Sequence, residues 1–590
     1  MSKKAPNSPN ASDQYRCPSG FPSAPKTLAL AIAACWLGSI IQPALAQLPT
    51  GATVVHGSAS IASNGNAITV INSPGAIVNW QTFSIGQPNA VNFQQQSAAS
   101  QVLNRVTGNN PSQILGSLSS NGKVWLINPY GILFGQNARI DVAGLVASTL
   151  NVSDADFLAN RYKFAGVGAG SLVNQGRITT PFGGNVYLVG ATTRNEGLIQ
   201  APGGEIVLAA GQSVELVDSG MPNLIVRITA PAGDAVNVGS LIAEGGRIDV
   251  HAATVNQSGI IRADAVQTDS AGRIVLTATQ TVTLGEASET SAVGGNVPLE
   301  ANSVNNRGSI SGQDISIAAN DILQQGRVIA PGGRITMTAG RSTYLDGSVD
   351  VSNPFGNAGS IWLTTGKLEG MAGGSLRADG LEGGQIHVEG SGMVAFSSTF
   401  SATGAKHGGS VEVTGDSVYL LNADIDASGR TQGGTIHLGG GWQGSGSLPH
   451  AREVFIGVGS EVRANGPLGD AAVAGRGGEL VVWSTESSEN YGSLRTLNGG
   501  RIEFSSTGTI RPGDLQAGPG GSVLFDPKNI IITDNPPDSI ALARKVTSGS
   551  VTSAQPALVD GDFLGSAVAL DGDRLAVGAS GDNTGGFQTG

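Results

Sequence analysis

His387, Glu412 and His437 follow one another at intervals of 25 residues, and two imidazoles with a carboxylate form a donor set that Zn²⁺ accepts. If each interval closes one coil of a stacked chain, neighbouring members stand about 4.8 Å apart. The two histidines are then about 10 Å apart with the glutamate between them, too far to share one ion. The triad therefore reads as a solvated polar ladder. Near the end of the chain, Asp571, Asp573 and Asp582 give only part of the alternating pattern of a calcium loop, which predicts ordinary turn chemistry. There is no Gly-x-Ser-x-Gly elbow, no His-Glu-x-x-His and no phosphate loop with its lysine. Catalysis on stacked coils would need acidic and basic side chains converging on one groove. The outward series Thr336, Trp362, His387, Glu412 and His437 is too mixed for that. The residues thus predict no catalytic group, no metal ligand and no cofactor.

The elements that must position these side chains recur. A Gly-Gly or Ala-Gly pair precedes a short alternating strand in GGNVYL, GGEIVL, GGRIDV, AGRIVL, GGRITM, AGSIWL, GGQIHV, GGSVEV, GGTIHL, GGELVV and GGSVLF. The second glycines at 333, 359, 384, 409 and 434 are 26, 25, 25 and 25 residues apart. Elsewhere the gaps are 20, 26 or roughly doubled, as if a copy had decayed. Two and four residues past the second glycine stand Ile335/Met337, Ile361/Leu363, Ile386/Val388, Val411/Val413 and Ile436/Leu438. Side chains alternate along a strand, so these point inward and the residues between them point out. One such strand cannot bury its apolar face alone, whereas identical strands stacked coil on coil can. The expected fold is all-β: a parallel β-helix with coils of about 25 residues. Residues 47–525 would make about 19 coils, a rod on the order of 90 Å long.

Composition agrees. Of 590 residues, 88 are glycine and only 13% are charged, while 40% are hydrophobic, which describes a turn-rich β chain and not a disordered one. The net charge of −11 is mild and no basic cluster points to nucleic acid. Residues 1–46 differ: Lys26, an apolar run from Thr27 to Ile41, then Ala44-Leu45-Ala46 read as a signal peptide for the general secretion machinery and signal peptidase. A competing lipoprotein box, Ile32-Ala33-Ala34-Cys35, lies within it. The only cysteines, Cys17 and Cys35, fall in this leader; a mature chain without thiols suits an export step that needs an unfolded chain, and equally a large β core that needs no staples.

The stretches GATVVHGSASI (51–61), VNFQQQ (91–96), VLNRVTGNNPSQILGSLSSNGKVWLINPYGILFG (102–135) and ARIDVAGLVASTL (138–150) follow in order. Together they resemble the haemagglutination-activity, or two-partner secretion, domain of filamentous-haemagglutinin-like exoproteins of Gram-negative bacteria. That resemblance implies an N-terminally capped, right-handed β-helix over 47–165, read by a partner outer-membrane β-barrel transporter. It also implies a secretion motif at Asn128, Pro129, Gly131 and Ile132. The family's usual Asn-Pro-Asn-Gly-Ile has Tyr130 at its third place here, and a separate Asn-Pro-Asn-Leu motif is missing, which is similar to the high-molecular-weight adhesin branch. Tyrosine does not tolerate the left-handed backbone of a type II turn, so Asn128-Pro129-Tyr130-Gly131 is expected to form a type I turn.

Residues 166–534 then read as the β-helical rod, 535–560 as a linker, and 561–590 as part of a propeller blade, since FLGSAVALDGDRLAVGASGD resembles an FG-GAP repeat. One blade cannot close a propeller, which suggests a piece of a longer exoprotein. The expected function is a secreted or surface-exposed adhesin, delivered through the periplasm and binding a host or neighbouring-cell receptor or glycan. The alternatives are a carbohydrate-active β-helix enzyme and a stalk for a toxin beyond Gly590.

Overall fold

The computed structural model describes residues 47–530, apart from 167–169, 219–223, 229–232, 265–271 and 468–475, together with strands Phe563–Asp571 and Arg574–Ser580. The expected leader (1–46) and linker (535–560) lie outside the described residues.

The alternation in the sequence becomes a parallel β-solenoid of about 18 turns, against the 19 expected. A typical turn runs along Arg334–Leu345, bends at a bulge between Ala339 and Ser342, and continues as Ser348–Asp350. The next turn lies on it in parallel register, Ile335 on Ile361, Met337 on Leu363 and Val349 on Leu376. The inward ladder continues through Ile386, Val411 and Ile436, each at most 1% exposed, while Trp362, between Ile361 and Leu363, is 40% exposed. Each large aliphatic side chain buried this way contributes about 1.5–3 kcal/mol, so the stack carries its own stability without disulfides.

Turn length varies more than the repeat suggested. Val297 stacks on Ile315 and Ile315 on Ile335 after 18 and 20 residues. Leu145 meets Val186 after 41, Ile206 meets Ile248 after 42, and Ile436 meets Leu480 after 44. The gaps of 42 and 44 are therefore single turns carrying insertions and not lost copies, whereas the gap of 43 from Gly478 to Gly521 holds a further turn at Ile502. Decay does explain the long gap from Gly272 to Gly333, which holds two further turns, at Val297 and Ile315.

Inside one corner runs a ladder of amides. Asn174 Nδ2 donates to Asn195 Oδ1 at 2.8 Å, Asn195 to Asn237 at 2.8 Å, and Asn237 to Gln257 Oε1 at 2.7 Å, all four residues being buried. Each amide accepts from one coil and donates to the next, which satisfies buried polar groups that would otherwise destabilise the core.

At the N-terminal end, Thr53–His56 pairs antiparallel with Ala76–Trp80, and Ala59–Asn64 with Ala67–Asn72. Thr53–His56 and Ala59–Asn64, mostly exposed, cover the end of a stack that would otherwise offer free strand edges. Two of the long insertions meet outside the coil. The first supplies a short helix, Asp154–Leu158, capped by Ser153, and strand Tyr162–Ala165; the second supplies Ser213–Asp218 and Leu224–Ile228. The three strands pair antiparallel, and together with the helix they bury a second apolar cluster on the outer face around Trp125, Tyr187 and Val207. Trp125 is stacked on Tyr162 (centroids 5.1 Å, 18°) and edge-on to Phe157. In the tail, Phe563–Asp571 and Arg574–Ser580 pair as an antiparallel hairpin.

Candidate functional site

Residues 123–135, KVWLINPYGILFG, supply two inward strands, Ser117–Ile127 and Ile132–Phe134, joined by the corner at Asn128. Gly131 N–H donates to Asn128 O at 3.1 Å, which closes a four-residue turn. Tyr130 is absent from the residues with positive φ, as a type I turn requires, and Gly131 leads out at φ 124°. The Asn128 side chain is completely buried and fully used: Oδ1 accepts from Tyr130 N–H at 3.0 Å, and Nδ2 donates to Asn110 O and Ser112 Oγ, both at 3.0 Å. The corner is clamped to the following turn through Gly170 N–H to Pro129 O at 3.2 Å.

Of the four residues expected to form the secretion motif, Asn128, Gly131 and Ile132 are buried and Pro129 is half-buried. The residue this corner shows to solvent is Tyr130, 55% exposed. A polar asparagine in a turn gave no signal of burial. Only the hydroxyl of Ser112 and the carbonyl of Asn110, which the coil brings beneath it, draw the amide inward.

The outward ladder forms as spaced: His387 is in register with Glu412 and Glu412 with His437. Its members do not converge. His387 Nδ1 lies 2.8 Å from Glu412 Oε2 and its ring packs on Trp362 at 4.6 Å, whereas His437 turns Nε2 to Glu479 Oε1 at 2.8 Å. Among the described residues no cluster of three His, Cys, Asp or Glu side chains is arranged to hold a metal ion.

The hydrogen bond to Glu412 raises the His387 pKa above its ordinary 6.5, against an opposing effect of burial. Glu412 is held below 4.5 by the same bond. A histidine raised on folding stabilises fully below 6.5, and this contribution is lost as pH rises through the higher folded value. The carboxylate's share is lost instead as pH falls through its lowered value. Thermal unfolding followed from pH 6 upward should therefore lose a small increment, under about 1 kcal/mol for a half-buried pair that solvent still screens. His387→Gln should flatten that slope; an unchanged slope would show that the pair contributes nothing.

Residues 46–283, which span the cap, the covered flank and the buried-asparagine corner, match the family model of the TPS secretion domain. This domain implies a partner outer-membrane transporter, and exoproteins bearing it are secreted across the outer membrane of Gram-negative bacteria. The chain is similar to a heme/hemopexin-binding protein of Haemophilus influenzae strain Rd, 30% identical over 324 residues, covering 52% of this chain and 33% of that protein. A second protein of the same name from Haemophilus influenzae is 44% identical over 89 residues, 15% of this chain and 10% of that one. The crystal structure of the HMW1 secretion domain from Haemophilus influenzae aligns at 28% identity and a TM-score of 0.37, covering 82% of this chain and 99% of that one. The chain thus spans about a third of the length of the longer-matching curated relative.

Proposed function

We propose that the protein is a secreted or surface-exposed filamentous exoprotein, whose N-terminal domain directs export through a partner outer-membrane transporter and whose solenoid extends an adhesive surface. The match of residues 46–283 to a secretion domain carries this reading. In it, the leader (1–46) takes the chain to the periplasm, residues 47–165 hold the signal for the transporter, and 166–534 form the binding rod. The corner at Asn128, Pro129, Gly131 and Ile132 is the part of that signal whose shape the transporter requires, with Asn128 holding the shape. The tail hairpin supports a partial FG-GAP unit.

A surface function, and not catalysis, fits a solenoid whose outward ladder pairs its acids and bases locally. The relatives' name makes haem and hemopexin the first ligands to test on the rod, beside glycans and cell-surface receptors. Export is tested by expressing the chain in a Gram-negative host with and without its transporter and assaying the medium. Release only with the transporter is expected; equal release without it would overturn the reading.

A further inference from the structure

A cleft of about 480 Å³ lies where the flank cover leans over the first turns, lined among others by His56, Gln101, Lys123, Leu158, Asn160 and Tyr162. These residues come from four separate stretches of chain, so the sequence alone gives no hint of it. The walls are fixed. Gln101 Nε2 donates to Asn160 Oδ1 at 2.8 Å, His56 Nδ1 lies 3.2 Å from Gly75 O, and Tyr162 is stacked on Trp125. Asn160 holds a left-handed backbone (φ 54°) at the end of the helix, where an asparagine is tolerated.

The charge inside is unbalanced. Among the described residues no carboxylate lies within ion-pair distance of Lys123, and none lines the cleft. Three acids of the cover are taken elsewhere: Asp154 by Arg105, Asp156 by Arg161 and Glu215 by Lys163. With Asn160 Oδ1 occupied by Gln101, its NH₂ remains to donate. Leu158, 42% exposed, gives one wall an apolar surface. A preformed concave site with an ammonium group, an amide donor and an aliphatic wall suits an anion on a short aliphatic stem.

We propose that this cleft binds a carboxylate, borne either by an acidic side chain of an extended peptide or by a small free dicarboxylate. Lys123 supplies the charge and Asn160 a second hydrogen bond. In the peptide case the bearer is the transporter's periplasmic face, which rests on the export reading above.

The test uses the mature chain and two probes, the blocked tripeptide Gly-Glu-Gly and glutarate, with blocked Gly-Gln-Gly as the neutral control, followed by calorimetry. Gly-Glu-Gly or glutarate should bind and Gly-Gln-Gly should not. Lys123→Gln should weaken binding about tenfold or more, and Lys123→Arg should retain most of it, showing that the fold is intact. Equal binding of the acidic and neutral peptides, no binding of either acidic probe, or wild-type binding by Lys123→Gln would each overturn the proposal. Export then separates the two sources. If Lys123→Gln is folded but poorly released, the bearer is the transporter; if it binds glutarate weakly yet is released normally, the ligand is a free carboxylate. Wild-type release without a transporter would sink the export reading and leave the calorimetric result standing.

Discussion

Gly409→Val will break the solenoid at that coil and leave the coils on either side folded. A β-carbon on Gly409 would stand 2.1 Å from Gly384 O and 2.9 Å from Gly384 N, closer than such atoms ever approach. Both contacts are backbone, and the neighbouring coil cannot retreat because Ser410 N–H is bonded to that same Gly384 O at 2.9 Å. The cost should reach about 4 kcal/mol, in the range of severe overpacking and backbone strain. Each coil touches only its neighbours, so the damage stays local. Limited proteolysis should cut near residues 403–415, with two protected fragments and a lowered first melting transition. Gly65→Ala is the comparison: its β-carbon meets nothing within 4 Å, and its φ of +60° alone should cost about 1 kcal/mol. Uncut Gly409→Val with a wild-type melt would show that the corner spacing is not what limits side-chain size.

Asn128→Ala will lower domain stability and export together. It leaves Tyr130 N–H, Asn110 O and Ser112 Oγ without their partner. Orphaning three groups at a buried corner should cost about 3 kcal/mol. If the transporter needs the folded corner, release should fall about tenfold or more, since each 1.4 kcal/mol is a factor of ten in an equilibrium. Tyr130→Ala separates shape from contact: the ring is exposed and only its backbone serves the turn, so the melting temperature should hold within about 1 °C, and release should hold with it if shape is what the transporter requires. Should Tyr130→Ala be released normally and Asn128→Ala fail, Asn128 acts through shape alone. A stable, normally exported Asn128→Ala would refute both roles.

Much of the fold was legible because it repeats. Ile335, Ile361, Ile386, Val411 and Ile436 stack as the spacing predicts, since period-two alternation and glycine corners are local properties of the chain. What resisted was whatever depends on contacts between distant residues. Trp125 alternates with the inward Val124 and Leu126 and is nonetheless buried, because two insertions far apart in sequence meet over it. The type I turn followed from Tyr130, but the burial of Asn128 did not, being set by Ser112 on another strand of the coil. The His387–Glu412–His437 register was readable; that His437 prefers Glu479 was not, because a 44-residue turn separates their coils.

The proposed export rests on a signal, held in residues 47–165 within the secretion-domain match at 46–283, that a partner transporter reads. The most direct measurement is the fraction of the chain released into the medium, with periplasmic accumulation followed in parallel, when its transporter is present or deleted. The prediction is release with the transporter and periplasmic retention of the leader-cleaved chain without it. Equal release in both strains would contradict the account.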